Sequence, residues 1–276
     1  MGRKANPPVA LGLTDTHAHL SYVDDRLGDE ALRGIDQAYR ASGAMILDPG
    51  VDYDDFPRRQ AAFGELPYVW LAAGIWPDAD SMKYVETRVS FLEEQVRSPA
   101  CVAVGECGLD YHWMNGSEQE QASLFGAQLG LALQYGKPFL VHTREAHDAT
   151  LAMVQEAAGR IPVIIHCFGY DIDEARAYLK AGCYLSFAGN ITYKNADGLR
   201  RACLETPLSR LLLETDAPYM CPEPRRGRQS SPLDIGHTYT FVAGLRGIDP
   251  TALAESVALN ARQLFGKLGA VGTPAR

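Results

Sequence analysis

The sequence predicts a single α/β domain built as a (β/α)8 barrel. Three observations carry this. The chain has 276 residues, and one such barrel needs about 250. Eight short apolar runs alternate with longer amphipathic stretches, the pattern of parallel strands separated by helices. No stretch is repeated, linker-like or of low complexity, so the barrel core is expected over about residues 12–267 of one domain.

The runs that predict strands are Leu11–His17, Ala44–Pro49, Tyr68–Gly74, Val102–Glu106, Phe139–His142, Val163–His166, Cys183–Phe187 and Leu211–Asp216. They are continuously apolar, as strands buried on both faces are. Between them, Ser117-Glu-Gln-Glu120 is a capping box that opens a helix with Leu124, Leu131 and Tyr135 on one face. Gly136 and Pro138 end it. A second helix opens at Asp249-Pro250 and runs through Leu253, Val257, Ala261 and Phe265. Met220–Leu233, rich in Pro, Arg and Ser, reads as a long loop after the last strand.

Composition narrows the function classes. Hydrophobic residues make up 46% of the chain, charged residues 22%, and the formal net charge is −8. A chain of that charge is no general electrostatic binder of nucleic acid, so a nucleic-acid substrate must be held by local positive charge or by metal ions. Cys101, Cys107, Cys167, Cys183, Cys203 and Cys221 form no CxxC pair and read as buried free thiols of a reducing compartment. The opening MGRKANPPVALGLTD has no apolar stretch suited to a signal peptide, and Asn6 breaks the myristoylation pattern. No run reaches the roughly 18 apolar residues of a membrane span. The expectation is a cytoplasmic protein.

A barrel carries its chemistry at the C-terminal ends of its strands. The ends here are Thr14-Asp-Thr-His17-Ala-His19, Val104-Gly-Glu106, Leu140-Val-His142, Ile164-Ile-His166 and Leu213-Glu-Thr-Asp216. His17 and His19 are two apart, so an extended chain points both imidazoles to one side. A lone HxH is a weak signal. Four histidines and two acids at successive strand ends are not a packing pattern; they suit divalent zinc, manganese, nickel or magnesium. Two ions would clamp an attacking water and a leaving oxygen, with Glu106 and Asp216 as the catalytic carboxylates and Asp216 as proton acceptor. His147 and His237 fall at helix starts and read as surface or capping residues; His112 overlooks the strand ends and could touch substrate.

The motifs resemble the TatD-type metal-dependent deoxyribonucleases of the amidohydrolase superfamily. The resemblance runs from Thr14 to Phe265 through Asp15-Thr-His-Ala-His-Leu20, Gly105-Glu-Cys-Gly-Leu-Asp110, Val141-His-Thr-Arg-Glu-Ala146, His166-Cys-Phe168, Thr192-Tyr-Lys-Asn195, Glu214-Thr-Asp-Ala-Pro218 and Asn260-Ala-Arg262. It implies one metal on His17, His19, Glu106 and Asp216 and another on Glu106, His142 and His166, with Glu106 bridging. Departures fall on the substrate face: Trp76-Pro-Asp78, Gly169-Tyr170-Asp171 and the loop Pro222-Glu-Pro-Arg-Arg-Gly-Arg-Gln-Ser-Ser-Pro232. DNA is therefore the expected substrate, attacked from a 3′ end. Arg144, Lys194, Arg225, Arg226 and Arg228 are candidate phosphate holders. A solvated loop is an equal reading of the arginine cluster, and an esterase, deacylase or amidase on a small or tRNA-linked substrate is the competing activity.

Overall fold

A computed structural model describes residues 13–266. The readings around Asn6, the start of the first predicted strand at Leu11 and the outermost core residues, 12 and 267, lie outside the described residues. In chain order the elements are α1 (Leu20–Leu27), α2 (Asp29–Ser42), β1 (Ile46–Asp48), α3 (Phe56–Phe63), β2 (Val69–Ala73), α4 (Val85–Arg97), β3 (Cys101–Asp110), α5 (Glu118–Tyr135), β4 (Phe139–Arg144), α6 (His147–Val154), β5 (Val163–Ile165), α7 (Ile172–Ala181), β6 (Tyr184–Phe187), α8 (Asp197–Glu205), β7 (Leu211–Leu213), α9 (Ile235–Arg246) and α10 (Pro250–Phe265). The seven strands form one parallel sheet in sequence order, β1 to β7.

The first predicted strand does not form as a regular strand. Its residues instead bridge the two sheet edges. Asp15 N–H donates to Met45 O and Ala18 N–H to Leu47 O on the β1 side, while Thr16 N–H donates to Leu213 O and His19 N–H to Ala217 O on the β7 side. Parallel bridges join Asp15 to Ile46 and Ala18 to Ala217. Alternating its bonds between two neighbours, this segment supplies the eighth stave without pairing long enough with either to make a ladder. Asp15 locks it in place: its buried carboxylate accepts from Thr215 N–H at 2.9 Å and Thr215 Oγ1 at 2.6 Å.

The helices begin and end where local chemistry directs. Ser117 and Glu120 form the expected capping box at α5, and Gly136 closes that helix in the left-handed conformation. Asp249 accepts from Thr251 and Ala252 N–H at the start of α10, with Pro250 in its first turn. Asp171 and Glu174 cap α7 in the same reciprocal way. Leu124 and Leu131 are buried and Tyr135 is partly buried. Phe125 of α5 stacks on Phe139 of β4 at 5.4 Å between centroids, and burying each ring contributes about 1.5–3 kcal/mol.

A second departure concerns β3. It was expected to stop at Glu106 but runs on to Asp110, so Glu106 lies inside the strand. The pairing with β4 is irregular between Val104 and Cys107. In that gap Gly50 takes over on the other side: its N–H donates to Gly105 O and its carbonyl accepts from Glu106 N–H. The backbones can meet so closely only because the neighbours are glycines. A Cβ on Gly74 would fall 2.4 Å from the carbonyl carbon of Gly105.

Candidate metal centre

Glu106 is 4% exposed, and imidazoles meet both of its carboxylate oxygens. Oε2 lies 3.1 Å from His17 Nε2 and 3.5 Å from His19 Nε2. Oε1 lies 3.1 Å from His142 Nδ1 and 3.1 Å from His166 Nε2. Asp216 Oδ1 stands 3.6 Å from His19 Nε2. All six residues expected at the site from sequence therefore converge on one buried cluster, although they come from five separate segments. Asp216 reaches it with φ at +53°, a left-handed conformation that Asp tolerates better than most residues.

The residues fit divalent cations. Nitrogen and oxygen donors spaced 3.1–3.6 Å apart match the edges of a coordination shell with ligands about 2.0–2.2 Å from the ion. Two sets, His17–Glu106–His166 and His17–His19–Asp216, have donor atoms close enough to share an ion. His17 Nδ1 is buried without a hydrogen-bond partner.

The electrostatics show what the cluster does when its histidines face only one another and the acids. Burial opposes charge on Glu106, but the surrounding imidazoles, His166 foremost, hold its carboxyl well below the usual range. Burial and the neighbouring His166 pull His17 down to about 4. His19, His142 and His166 are also penalised by burial, but Asp216, Asp110 and Glu106 respectively, with further acid neighbours, more than offset it and raise all three. Asp15, beside this cluster, is pushed up to about 7 by burial.

Two residues here were quoted in motifs from the sequence but given no role. Asp110 Oδ2 lies 2.9 Å from His142 Nε2, and Glu214 Oε1 lies 3.3 Å from His166 Nδ1. Each engages the ring nitrogen opposite the one that faces Glu106. Carboxylates of this kind fix the tautomer and orientation of metal-ligating histidines. The signal for Asp110 was its position four residues beyond Glu106, an even spacing that an extended strand places on one face; extending β3 by two repeats of the pleat would have found it. Glu214 carried the same kind of signal: it stands two residues before Asp216, the spacing that puts both side chains of an extended segment on one side.

The predicted substrate contacts differ in their surroundings. Arg144, Lys194, Arg226 and Arg228 are exposed. Arg225 is tied down: its Nε lies 3.1 Å from buried Asp234, joining the loop to α9. Arg226 lies over the Tyr193 ring at 4.1 Å. His112 Nδ1 is 2.7 Å from Glu145. His147 and His237 do not cap their helices, whose N-cap positions are held by Ala146 and Asp234. Both are half-buried, and His147 packs edge-on against Tyr178 at 4.9 Å. The six cysteines are free, five of them buried.

The family model "TatD related DNase" matches residues 14–266. The chain belongs to this family. It is 37% identical over 264 residues, covering 93% of the chain and 97% of the relative, to the 3'-5' ssDNA/RNA exonuclease TatD of Erwinia billingiae. It is 31% identical over 254 residues, 92% of the chain and 98% of the relative, to the uncharacterized metal-dependent hydrolase YabD of Bacillus subtilis. Among solved structures, the TatD homologue YJJV of Escherichia coli K12 superposes with a TM-score of 0.80 at 25% identity, covering 92% of this chain and 98% of that one. The barrel reading stands with that likeness. No helix among the described residues is long and apolar enough to cross a membrane.

Proposed function

We propose that this TatD-family chain is a metal-dependent phosphodiesterase that removes nucleotides from the 3′ end of single-stranded DNA. The observation that carries the reading is Glu106, whose two oxygens each face a pair of histidines. Glu106 and His142 lie in strands of the one sheet, His166 and Asp216 just past two others, and His17 and His19 in the segment that bridges its edges, which supports reading the chain as one catalytic domain. The name borne by the Erwinia billingiae relative supports the substrate class.

His17, His19, Glu106 and Asp216 would hold one divalent cation, and Glu106, His142 and His166 a second. Such ions, when bound, acidify water and neutralise charge on a phosphate. The protein groups do the rest. Asp216, at the rim of the cluster, accepts the proton of the water that attacks phosphorus as the P–O ester bond breaks. Asp110 and Glu214 keep His142 and His166 in the tautomers that present a lone pair toward Glu106. Arg144, with Lys194, Arg226 and Arg228, offers exposed cations to the flanking phosphates.

The test is degradation of a 3′-labelled single strand beside a 5′-labelled one. EDTA should abolish loss of the 3′ label, and Mg²⁺ or Mn²⁺ should restore it. Full activity in metal-stripped protein defeats the metal assignment, and ester or amide hydrolysis without phosphodiester cleavage defeats the nuclease assignment.

A further inference from the structure

Two aromatic rings stand exposed at opposite ends of the His–Glu106 cluster, each beside an arginine. Trp113 is 62% exposed, far more than a large indole needs to be in a packed domain. The Arg144 guanidinium lies 5.7 Å from its centroid, and His112 meets it edge-on at 5.1 Å. The backbone that carries the ring is anchored. The Trp113 main-chain N–H donates to Asp110 Oδ1 at 2.9 Å, and the other oxygen of Asp110 meets His142 Nε2. The Trp113 backbone and the His142 imidazole therefore share one carboxylate. At the other end, Tyr219 is 38% exposed and meets His19 edge-on at 6.1 Å. Arg26 lies over the Tyr219 ring at 4.7 Å and bonds its hydroxyl at 3.0 Å. His142 faces Glu106 Oε1 and His19 faces Oε2, so the two ring–arginine pairs flank the cluster.

We infer that Trp113 with Arg144, and Tyr219 with Arg26, are two stacking clamps that hold unpaired bases on either side of the phosphate being cleaved. The inference deepens the proposed nuclease activity and rests on it. A ring face stacks on any base, while the guanidinium beside it reaches the adjoining phosphate. The combination is sequence-tolerant and needs bases freed from a duplex, because a paired base has both faces covered by its neighbours. It also supplies what an acidic chain lacks. Attraction is confined to the mouth instead of spread over the surface.

The experiment compares an eight-nucleotide single strand with one of equal length whose bases next to the 3′-terminal linkage are replaced by abasic sites. Both carry the same phosphates. In the unaltered protein the abasic strand, which loses both stacks, should show a KM about a hundredfold higher, about tenfold for each stack. Trp113→Leu should raise KM for the normal strand about tenfold and leave the abasic strand nearly unchanged, so that the difference between strands falls to about tenfold, with kcat changing less than KM. Trp113→Phe, which keeps a ring, should restore most of the discrimination. Tyr219→Leu should behave as Trp113→Leu does. Binding of the same two strands with phosphorothioate linkages, read by tryptophan quenching, answers the stacking question without turnover. If Trp113→Leu weakens normal and abasic strands equally, the ring is not a base platform and the inference falls. If neither strand is cleaved but discrimination in binding persists, the clamps stand and the nuclease reading falls.

Discussion

Glu106 and Asp48 are both buried carboxylates at the mouth of one parallel sheet, yet the fold treats them differently. Asp48, at the end of β1, receives a permanent cation. Arg59 of α3 donates to its side chain at 2.9 Å, to its carbonyl at 3.1 Å, to Asp55 twice and to Ala72 O at 2.6 Å. These five bonds use all five N–H groups of the guanidinium. Leu20 N–H takes the other oxygen of Asp48. Glu106 is given four imidazoles instead, groups whose charge depends on what else is bound. A structural cluster closes on itself. A binding cluster leaves lone pairs that converge and can be completed from outside, and the second pattern is what distinguishes the candidate site from an ion pair of similar burial.

The sharpest way to separate the two clusters is to damage each and read activity and stability together. Asp216→Asn should lower turnover by about 10²–10⁴-fold, the range for a lost general base. Its melting temperature without added metal should stay close to that of the unaltered protein, since the left-handed backbone at 216 suits Asn as well as Asp. Initial-rate assays with a thermal melt check both. A variant that keeps its turnover removes Asp216 from the mechanism.

Arg59→Met should do the reverse at neutral pH. It leaves Asp48 and Asp55 buried without their cation, and breaking such a pair costs about 3–5 kcal/mol. The pH dependence has a definite sign. Burial already raises the Asp48 carboxyl above its ordinary value despite the opposing effect of Arg59. A carboxyl raised on folding favours its neutral form, so it destabilises the fold as pH rises through the folded-state value. Removing Arg59 raises it further. The stability gap between variant and parent should therefore be widest at pH 7 and narrow as the pH is lowered toward 4, as read by urea unfolding at each pH. A gap that widens on acidification contradicts this account of the cluster.

How much of this was legible without coordinates depends on range. The six cluster residues could be named because each ends an apolar run, and a parallel barrel brings strand ends together whatever the details. Helix caps at Ser117 and Asp249 were legible for the same reason: the chemistry is local. The first strand was missed as a bridging segment because its hydrogen bonds are split between residues near 46 and residues near 215, a long-range division that no local pattern encodes. Arg59 escaped notice altogether. One of two adjacent arginines, Arg58 and Arg59, on an amphipathic helix reads as a solvated charge, and only the packing of α3 against β2 shows Arg59 to be 5% exposed. The arginine loop misled in part: Arg225 answers to Asp234, nine positions on, while Arg226 and Arg228 remain exposed.

The smallest expected effect tests whether orientation matters within the binding cluster. Asp110 and Glu214 each touch the ring nitrogen of a histidine on the side away from Glu106, but their surroundings differ. Glu214 is fully buried and also accepts from Cys167 N–H at 2.7 Å. Asp110 also accepts from Trp113 N–H, and its carboxyl is held below the usual range: burial would raise it, but His142 and the Trp113 N–H more than offset that. Replacing an orienting carboxylate by its amide keeps the shape and removes the charge that enforces the tautomer, and typically weakens metal binding by about 10–100-fold. Asp110→Asn and Glu214→Gln should both fall in that range when Mn²⁺ binding is titrated by calorimetry. Glu214→Gln should lie at the lower end, because one oxygen, Oε1, meets both His166 Nδ1 and the Cys167 N–H, and an amide oxygen in that place keeps both contacts. Asp110→Asn can keep its oxygen on the Trp113 N–H and offer its amide nitrogen to His142, reversing the direction of that bond. That reversal puts the proton on His142 Nδ1, the nitrogen facing Glu106, so the site must expel it to bind an ion. Metal binding by Asp110→Asn should therefore release about one more proton than the parent does, measurable by repeating the titration in buffers of different ionisation enthalpy. Equal proton release in the two proteins would mean that Asp110 does not set the tautomer of His142.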